Sequence, residues 1–143
     1  MTLYFDASAF GILVFDNDGR QPLEELISSG EPCIMSDFGW GEFASAISIQ
    51  LRVGSASTDE ALAFLASATD LVGAWTRERL RSADVDLATS LVLRFDLALR
   101  LPDALHIAIA RRIGATLATA DTRQAAAARA IGVSVFNPLE DPR

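Results

Sequence analysis

The sequence predicts an α/β fold in which helices cover both faces of a mainly parallel central sheet. Short apolar segments of strand length alternate with longer segments of helical periodicity along the chain. Hydrophobic residues make up 50% of the 143 positions, which is enough to form a core without disulfides. Because this alternation is typical of parallel sheets, and no repeat, linker or low-complexity tract interrupts it, we expect one domain over residues 1–143.

The chain begins with a predicted strand and two helices. Residues 3–6 form a short apolar segment ending in an acid, and residues 7–15 mix small and apolar side chains before the turn Asn17-Asp18-Gly19. Residues 22–29 place leucine and isoleucine at helical spacing, and Gly30 supplies a stop.

A second strand and two more helices follow. Residues 33–35 form a brief apolar segment with the length of a buried strand, and residues 42–53 carry an apolar stripe at helical spacing. Ser57, with Glu60 three positions later, predicts a capping box for a helix that continues to about residue 68. The expected apolar faces of the two helices are Phe43, Ile47 and Leu51, and Leu62 and Leu65.

Residues 70–82 show no clear pattern, although Trp75 suggests a packing anchor. A helix is predicted over residues 83–95, and Pro102 is well placed to open another helix that ends at Gly114. The side chains expected to face inward from the first of these helices are Val85, Ala88, Leu91 and Val92.

The chain ends with a predicted strand, helix and strand. Residues 115–120 form a small strand, residues 122–131 an alanine-rich helix stopped by Gly132, and residues 133–136 a last strand. Each strand is thus separated from the next by at least one helix, as a parallel sheet requires.

The charge is distributed unevenly. Residues 1–75 carry two arginines and eleven acids, a balance of −9, and residues 76–143 carry ten arginines and eight acids, a balance of +2, giving the total of −7. A negative chain can still handle RNA when acids gather at a metal site and arginines line the approach. The charge alone fits an acidic surface of an ordinary soluble protein equally well.

No targeting or membrane segment is evident. The N-terminus lacks a basic region and has an acid at position 6, so we expect no signal peptide. The longest apolar stretches, residues 12–15 and 91–93, fall far short of the roughly 20 residues that span a bilayer. Cys33, the single cysteine, is expected to be a small buried apolar residue, and a cytoplasmic location is the expectation.

Four acids fall near predicted strand ends or helix starts, where open α/β sheets bind ligands. Asp6 and Asp121 follow strands, Glu42 starts the helix after the second strand, and Asp103 follows Pro102. Each one alone has an ordinary explanation as a group that caps a helix N-terminus. Together, however, four carboxylates repel one another unless a cation neutralises them.

The cation that suits such a cluster is Mg²⁺ or Mn²⁺, because these ions prefer oxygen ligands and accept phosphate oxygens as well. A divalent ion can ionise water near neutral pH and stabilise a leaving oxygen. The residues therefore favour hydrolysis of a phosphodiester, with no nucleophilic side chain required.

The segments around these acids resemble the four motifs of PIN domain ribonucleases, and in particular VapC-type toxins. The match runs in the right order over nearly the whole chain, and its most specific piece surrounds Asp103. The segments are Tyr4-Phe5-Asp6-Ala7-Ser8, Gly41-Glu42, Leu101-Pro102-Asp103-Ala104-Leu105-His106 and Ala118-Thr119-Ala120-Asp121.

The resemblance implies a three-layer α/β/α PIN-like fold and an endoribonuclease whose metal ligands and catalytic residues are Asp6, Glu42, Asp103 and Asp121. It also implies that Ser8 and Thr119 support the carboxylates, that a small antitoxin binds the protein, and that the chain forms a homodimer. The sequence departs from the motifs at Thr122-Arg123-Gln124, where the family more usually has a polar or aromatic continuation. Asp37 lies close enough to Glu42 to be an alternative member of the acidic set.

His106 and the arginines have two interpretations each. His106 shares a helical face with Asp103, which suits a metal ligand or general base, but its apolar neighbours favour a buried packing histidine. The arginines could contact RNA phosphate, or they could simply lie on the solvent-exposed faces of helices. Arg123 is the best candidate for an RNA contact because it lies two residues from Asp121. The other candidates are Arg77, Arg79, Arg81, Arg94, Arg100, Arg111 and Arg112.

Other classes fit less well. A phosphotransfer receiver needs a lysine, which the chain lacks; a haloacid dehalogenase-type phosphatase needs an acid where Ser8 stands; and no glycine-rich phosphate loop is present. The remaining alternative is a catalytically inactive PIN-like module that binds proteins, which a nuclease assay with and without Mg²⁺ would distinguish.

Overall fold

Five strands and seven α-helices alternate along residues 1–140, the part of the chain that the computed structural model describes. The strands are β1 (Leu3–Phe5), β2 (Cys33–Ser36), β3 (Thr76–Glu78), β4 (Thr116–Ala118) and β5 (Val135–Phe136). The helices are α1 (Ala7–Phe15), α2 (Arg20–Ser28), α3 (Asp37–Arg52), α4 (Thr58–Val72), α5 (Ser82–Leu93), α6 (Leu101–Ile113) and α7 (Thr122–Ala130).

The strands form one sheet in the order β3-β2-β1-β4-β5, and every neighbouring pair is parallel. The central strand is β1, in which Leu3 pairs with Cys33 on one side and Thr116 on the other. The chain builds the sheet outward from β1 in one direction and then crosses to its other side. The carboxyl ends of β1 and β4 therefore lie next to each other where the strand order reverses.

Alternate side chains of β1 enter two different cores, since successive residues of a strand point to opposite faces. Tyr4 packs with residues of α5, α6 and α7, whereas Leu3 and Phe5 pack with residues of α1 and α2. Helices α1, α3 and α4 add a further apolar cluster on that second side through Phe10, Phe43 and Ala68. The predicted three-layer arrangement with a parallel sheet is confirmed.

The start of α3 differs from the prediction. The helix begins at Asp37, five residues before the predicted start at residue 42, because the Ser36 hydroxyl accepts a hydrogen bond from the Gly39 amide at 2.9 Å and caps it. Glu42 therefore lies in the second turn of α3 and not at its N-terminus. The capping box predicted for α4 is present, with Ser57 and Glu60 bonded reciprocally at 3.0 and 3.1 Å.

Strand β3 was not predicted. Its residues Thr76–Glu78 are polar and only partly covered, because β3 is an edge strand that pairs with β2 alone. An edge strand of this kind lacks the apolar pattern of a buried one.

Four predicted core positions are wrong. The side chains of Leu51, Leu62, Leu65 and Val85 are 41%, 59%, 38% and 38% exposed, whereas small residues such as Ala61 and Ala68 face inward from α4. Helix α4 buries Ala61 and Ala68 and packs Leu71 and Val72 against the core, whereas Leu62 and Leu65 lie on its outer face. Within residues 1–140, no helix has both the length and the apolar character needed to cross a membrane.

Arg112 joins three elements on the α5 side of the sheet. Its guanidinium donates to the buried Asp84 carboxylate at 2.7 and 3.0 Å and to Glu78 at 2.9 Å. Burial opposes ionisation of Asp84, but the hydrogen bonds from Arg112 and from the Arg81 amide outweigh it and hold the pKa of Asp84 below its usual value. Arg112 is thus part of the scaffold and is not free to meet RNA.

Replacing Arg112 with methionine should lower the free energy of unfolding by roughly 3 kcal/mol, because Asp84 would stay buried without a cationic partner. Thermal unfolding should show a Tm lower by roughly 10 °C at neutral pH. The loss should shrink as the pH falls through the lowered pKa of Asp84, because protonation removes the attraction. Arg111→Met, at the exposed neighbouring position, is the matched control; equal shifts in both variants would contradict the assignment.

Candidate active site

The carboxyl ends of β1 and β4 border a cavity of about 190 Å³ that is lined mainly by charged and polar side chains. In open α/β sheets ligands bind at such a point, where the order of the strands reverses. The structure brings the four predicted acids together here, although they come from separate parts of the chain. The lining consists of Asp6, Ala7, Ser8, Glu42, Arg100, Asp103, His106, Asp121 and Gln124.

Asp6 is the most buried of these acids, with 3% of its surface exposed. It caps α1 by accepting a hydrogen bond from the Ala9 amide at 2.8 Å. The Ser8 hydroxyl donates to its two carboxylate oxygens at 2.7 and 2.9 Å, and the Thr119 hydroxyl donates to Oδ2 at 2.6 Å. Burial raises the pKa of Asp6, whereas His106 and these hydrogen bonds act in the opposite direction.

The same two hydroxyls join the start of α1 to the segment after β4. Ser8 Oγ accepts from the Ala120 amide at 3.0 Å, and Thr119 Oγ1 accepts from the Asp121 amide at 3.0 Å. Ser8 and Thr119 therefore lie where the family resemblance expects supporting hydroxyls, and their contacts within the acidic set are made to Asp6.

Glu42 is held by a buried chain of hydrogen bonds. His106 bonds to the Glu42 carboxylate through Nε2 and to the Tyr4 hydroxyl through Nδ1 at 2.7 Å, and Tyr4 in turn bonds to Ser36 Oγ at 2.8 Å. Tyr4, Ser36 and His106 are all almost fully buried. His106 is thus a buried, hydrogen-bonded histidine, as its apolar neighbours suggest, but one of its partners is a carboxylate of the site.

Asp103 lies in the first turn of α6, and its side chain is mostly covered. Burial raises the pKa of Asp103, and the nearby Asp121 and Glu42 raise it further, whereas Arg100 and His106 lower it. The Arg100 Nε lies 3.5 Å from Asp103 Oδ2. Arg100 is largely exposed to solvent, so this ion pair is open to exchange with other anions.

Asp121 caps α7, because its Oδ1 accepts from the Arg123 and Gln124 amides at 2.9 and 3.0 Å. The ordinary explanation for an acid at a helix start therefore holds for Asp121, as it does for Asp6, and both still line the cavity. Asp37 does not line it. Its Oδ1 instead accepts from the Phe38 and Leu80 amides, which joins α3 to the segment after β3.

Two side chains, one behind the cavity and one in its lining, were given no role from the sequence. Tyr4 lies in an apolar strand, and only the pairing of β1 within the sheet brings its hydroxyl to His106. Gln124 is 2% exposed and lines the cavity from α7. Among the arginines, Arg100 lines the cavity and Arg123 does not, so contact of Arg123 with RNA stays a prediction. Cys33 is buried elsewhere, and burial raises the pKa of its thiol to about 11.

The donor set of the cavity suits a hard divalent cation. Four carboxylates and the Ser8 hydroxyl supply oxygen ligands. Burial and the nearby Asp121 and Glu42 carboxylates raise the pKa of Asp103, and a bound cation would act in the opposite direction. Within residues 1–140, no three His, Cys, Asp or Glu side chains form a group that could hold an ion as they stand. Mg²⁺ commonly binds through one or two carboxylates and keeps several waters, so the arrangement fits an ion held partly through water.

Comparison with known proteins supports the fold and the motifs. A family model described as PIN domain matches residues 3–130, a range that includes all four carboxylates. No curated protein matches the sequence.

Several solved structures share the fold at low sequence identity. VapBC2 from Rickettsia felis, bound to a promoter DNA fragment, has a TM-score of 0.71 at 13% identity over 96% of this chain and 98% of that one. VapC20 from Mycobacterium tuberculosis, a sarcin-ricin loop cleaving toxin, has a TM-score of 0.65 at 19% identity over 88% of this chain and 95% of that one. FitAcB from Neisseria gonorrhoeae has a TM-score of 0.72 at 17% identity over 98% of this chain and 100% of that one. At these identities the likeness establishes the fold alone.

Asp103→Asn should make the metal-free protein more stable at neutral pH, because it removes a charge from beside Asp121 and Glu42. The raised pKa of Asp103 means that the folded protein keeps a proton which the unfolded chain has lost. Stability should therefore fall as the pH rises from about 3.9, the ordinary aspartate pKa, through the raised value. The extra stability of Asp103→Asn should shrink as the pH falls below about 4, where Asp103 of the parent becomes protonated in both the folded and the unfolded protein.

Thermal unfolding in EDTA across this pH range measures the effect. Asp86→Asn is the matched control, because Asp86 is exposed on α5. If Asp103→Asn were no more stable than Asp86→Asn at neutral pH, the carboxylates would not repel one another as described.

Proposed function

The chain belongs to the PIN domain family, and from this premise we propose that it is an endoribonuclease that hydrolyses RNA with Mg²⁺ or Mn²⁺. The observation that carries the proposal is the convergence of Asp6, Glu42, Asp103 and Asp121 on one small cavity at the carboxyl edge of the sheet. Helix capping explains Asp6 and Asp121 one at a time, but gathering four carboxylates in one cavity adds repulsion that a bound cation would relieve.

The four carboxylates are the residues that would hold the divalent ion. When bound, Mg²⁺ or Mn²⁺ supplies Lewis acidity to the phosphate and neutralises charge on the leaving oxygen. Ser8 and Thr119 keep the Asp6 carboxylate in one orientation. His106 does the same for Glu42. Arg100, at the cavity and largely exposed, is suited to attract the RNA phosphate.

We propose further that the protein is the toxin of a toxin–antitoxin pair in the cytoplasm. Support comes from the neighbouring folds, which include VapBC2 and the toxin VapC20. The surface around α3 and α4 also exposes several large apolar side chains, which are common at protein interfaces. We expect an antitoxin to lay an apolar helix there and to send a basic side chain toward the acidic cavity, in competition with the metal. The exposed residues of this surface are Ile49, Leu51, Val53, Leu62 and Leu65.

A homodimer is part of the same proposal. Leu93, Phe95 and Leu101 expose large apolar side chains near the junction of α5 and α6, and Phe95 is 83% exposed. Exposed apolar patches of this kind are typical of subunit contacts. Sedimentation of the purified protein would measure the state of assembly.

The second candidate is a PIN-like module that binds proteins without cutting RNA. The ion pair between Arg100 and Asp103 favours it, because a cationic side chain already neutralises part of the cavity. A module of this kind would show no metal-dependent cleavage at any excess of protein.

The nuclease proposal predicts that the purified protein cleaves total bacterial RNA in Mg²⁺ or Mn²⁺ and not in EDTA. Asp6→Asn and Asp103→Asn should each lower the rate by at least about 100-fold, because each removes a ligand charge. Asp86→Asn, which changes an exposed aspartate on α5, should cleave normally. Sequencing of the new RNA ends would map the cut. Near-normal turnover by either cavity variant would overturn the site.

Metal binding provides a second measurement that does not depend on turnover. Millimolar Mn²⁺ should raise the Tm of the parent protein, because an ion that binds only the folded state stabilises it by mass action. Asp6→Asn should lose most of this shift, and Asp86→Asn should keep it. An unchanged Tm in the parent would count against a shared metal site.

The toxin proposal predicts that expression of the chain alone arrests bacterial growth, and that co-expression with the small neighbouring open reading frame restores it. Asp103→Asn should be harmless yet still co-purify with the partner, because the variant changes the cavity and not the α3–α4 surface. Asp86→Asn should stay toxic. If the parent is harmless and no small protein co-purifies with it, the toxin proposal fails while the nuclease proposal stands.

A further inference from the structure

Gln124 lines the acidic cavity, and its backbone amide donates a hydrogen bond to Asp121, but its side-chain nitrogen has no partner in the described fold. Its side chain is 2% exposed, and among residues 1–140 its Nε2 finds no hydrogen-bond partner. A buried amide that makes no hydrogen bond lowers the stability of the folded state, so such groups are rare in native proteins. Its position beside Asp6, Asp103 and Asp121 suggests that the missing partner is a ligand.

The ordinary role for a glutamine at this position is excluded by the geometry. Gln124 is the third residue of α7, and in a capping box its side chain would accept a hydrogen bond from the amide of the N-cap residue, Asp121. That amide donates instead to Thr119 Oγ1 at 3.0 Å. The contact that joins Thr119 to Asp121 therefore leaves the Gln124 side chain without its usual partner.

The chemistry of the cavity limits what the amide can bind. Phosphate oxygens carry negative charge, for which Arg100 and a divalent ion are the better partners. A glutamine amide is neutral and offers both a donor and an acceptor, which matches a neutral hydroxyl. In an RNA backbone the neutral hydroxyl is the ribose 2′-OH, the group by which a protein distinguishes RNA from DNA.

We propose that Gln124 contacts the 2′-hydroxyl of the nucleotide at the cleavage site and thereby makes the cavity prefer ribose over deoxyribose. The inference rests on the proposed ribonuclease function and adds the residue that selects the sugar. In the proposed reaction water attacks the phosphate, and the 2′-OH takes no part in it. A substrate with a deoxyribose at the cut can therefore still be hydrolysed, and a lower rate on that substrate reports recognition of the 2′-OH.

The experiment compares the parent with Gln124→Met, which keeps an unbranched side chain of similar length and removes the amide. Total bacterial RNA locates the cut, and two oligonucleotides spanning it are then made, one all ribose and one with a single deoxyribose at the cut. The parent should prefer the ribose substrate roughly tenfold in kcat/KM, the value of one hydrogen bond. Gln124→Met should cleave both at the parent's deoxyribose rate. Gln21→Met, at an exposed glutamine of α2, is the control.

Two further measurements separate recognition from turnover and from folding. With Asp103→Asn as the background, fluorescence anisotropy should show a preference for the ribose oligonucleotide that Gln124→Met abolishes. The Tm of metal-free Gln124→Met should exceed that of the parent by about 3 °C, because an unbonded buried amide is removed. Gln21→Met should leave the Tm unchanged.

The possible outcomes are distinct. If Gln124→Met lowered kcat/KM equally on both substrates, Gln124 would have a phosphate contact or a structural role, and the inference would be overturned. An unchanged preference for ribose in Gln124→Met, or a Tm lower than that of the parent, would also overturn it. If the parent cuts no RNA, the ribonuclease proposal itself fails and this inference fails with it. If the parent cuts RNA but shows no preference for ribose that depends on Gln124, only the inference fails.

Discussion

A carboxylate buried at the carboxyl end of a central strand must be held by hydrogen bonds, and Asp6 receives them from both sides of the point where the strand order reverses. Its burial opposes ionisation, and the donors that offset this are the Ala9 amide and the hydroxyls of Ser8 and Thr119. Because the two hydroxyls also accept from the segment after β4, the same contacts position Asp121 beside Asp6. The hydrogen bonds that keep Asp6 in place thereby build half of the cavity.

The other half of the cavity, around Glu42, depends on the core formed by α5, α6 and α7. Tyr4 leaves β1 toward α6, and its hydroxyl ends between Ser36 and His106. His106 carries this contact to the Glu42 carboxylate. Tyr4 of β1 and Asp6, which follows the end of that strand, thus serve the two sides of the site, Asp6 through its own carboxylate and Tyr4 through a buried histidine. A shift of β1 relative to β2 or β4 would disturb both, so the register of the sheet determines the geometry of the cavity.

Arginine serves two purposes in a chain that has no lysine. Arg112 neutralises the buried Asp84 and joins α6 to β3 and α5, which stabilises the scaffold. Arg100 lies at the cavity with most of its side chain in solvent, and its Nε is 3.5 Å from Asp103 Oδ2. The same side-chain type is therefore structural where it is buried and accessible to solvent at the cavity, and only its surroundings decide which.

The sequence by itself determined the alternation of strands and helices, the capping box of α4, and the acids at strand ends, because these features depend on local periodicity and on residues a few positions apart. Only the tertiary structure decided which acids meet. Asp37 accepts a hydrogen bond from the Leu80 amide after β3 and does not line the cavity, whereas Glu42 lines it from the second turn of α3. Tyr4 and His106 are 102 residues apart. Contacts between such distant residues arise from sheet order and helix packing, which leave no periodic signal in the chain.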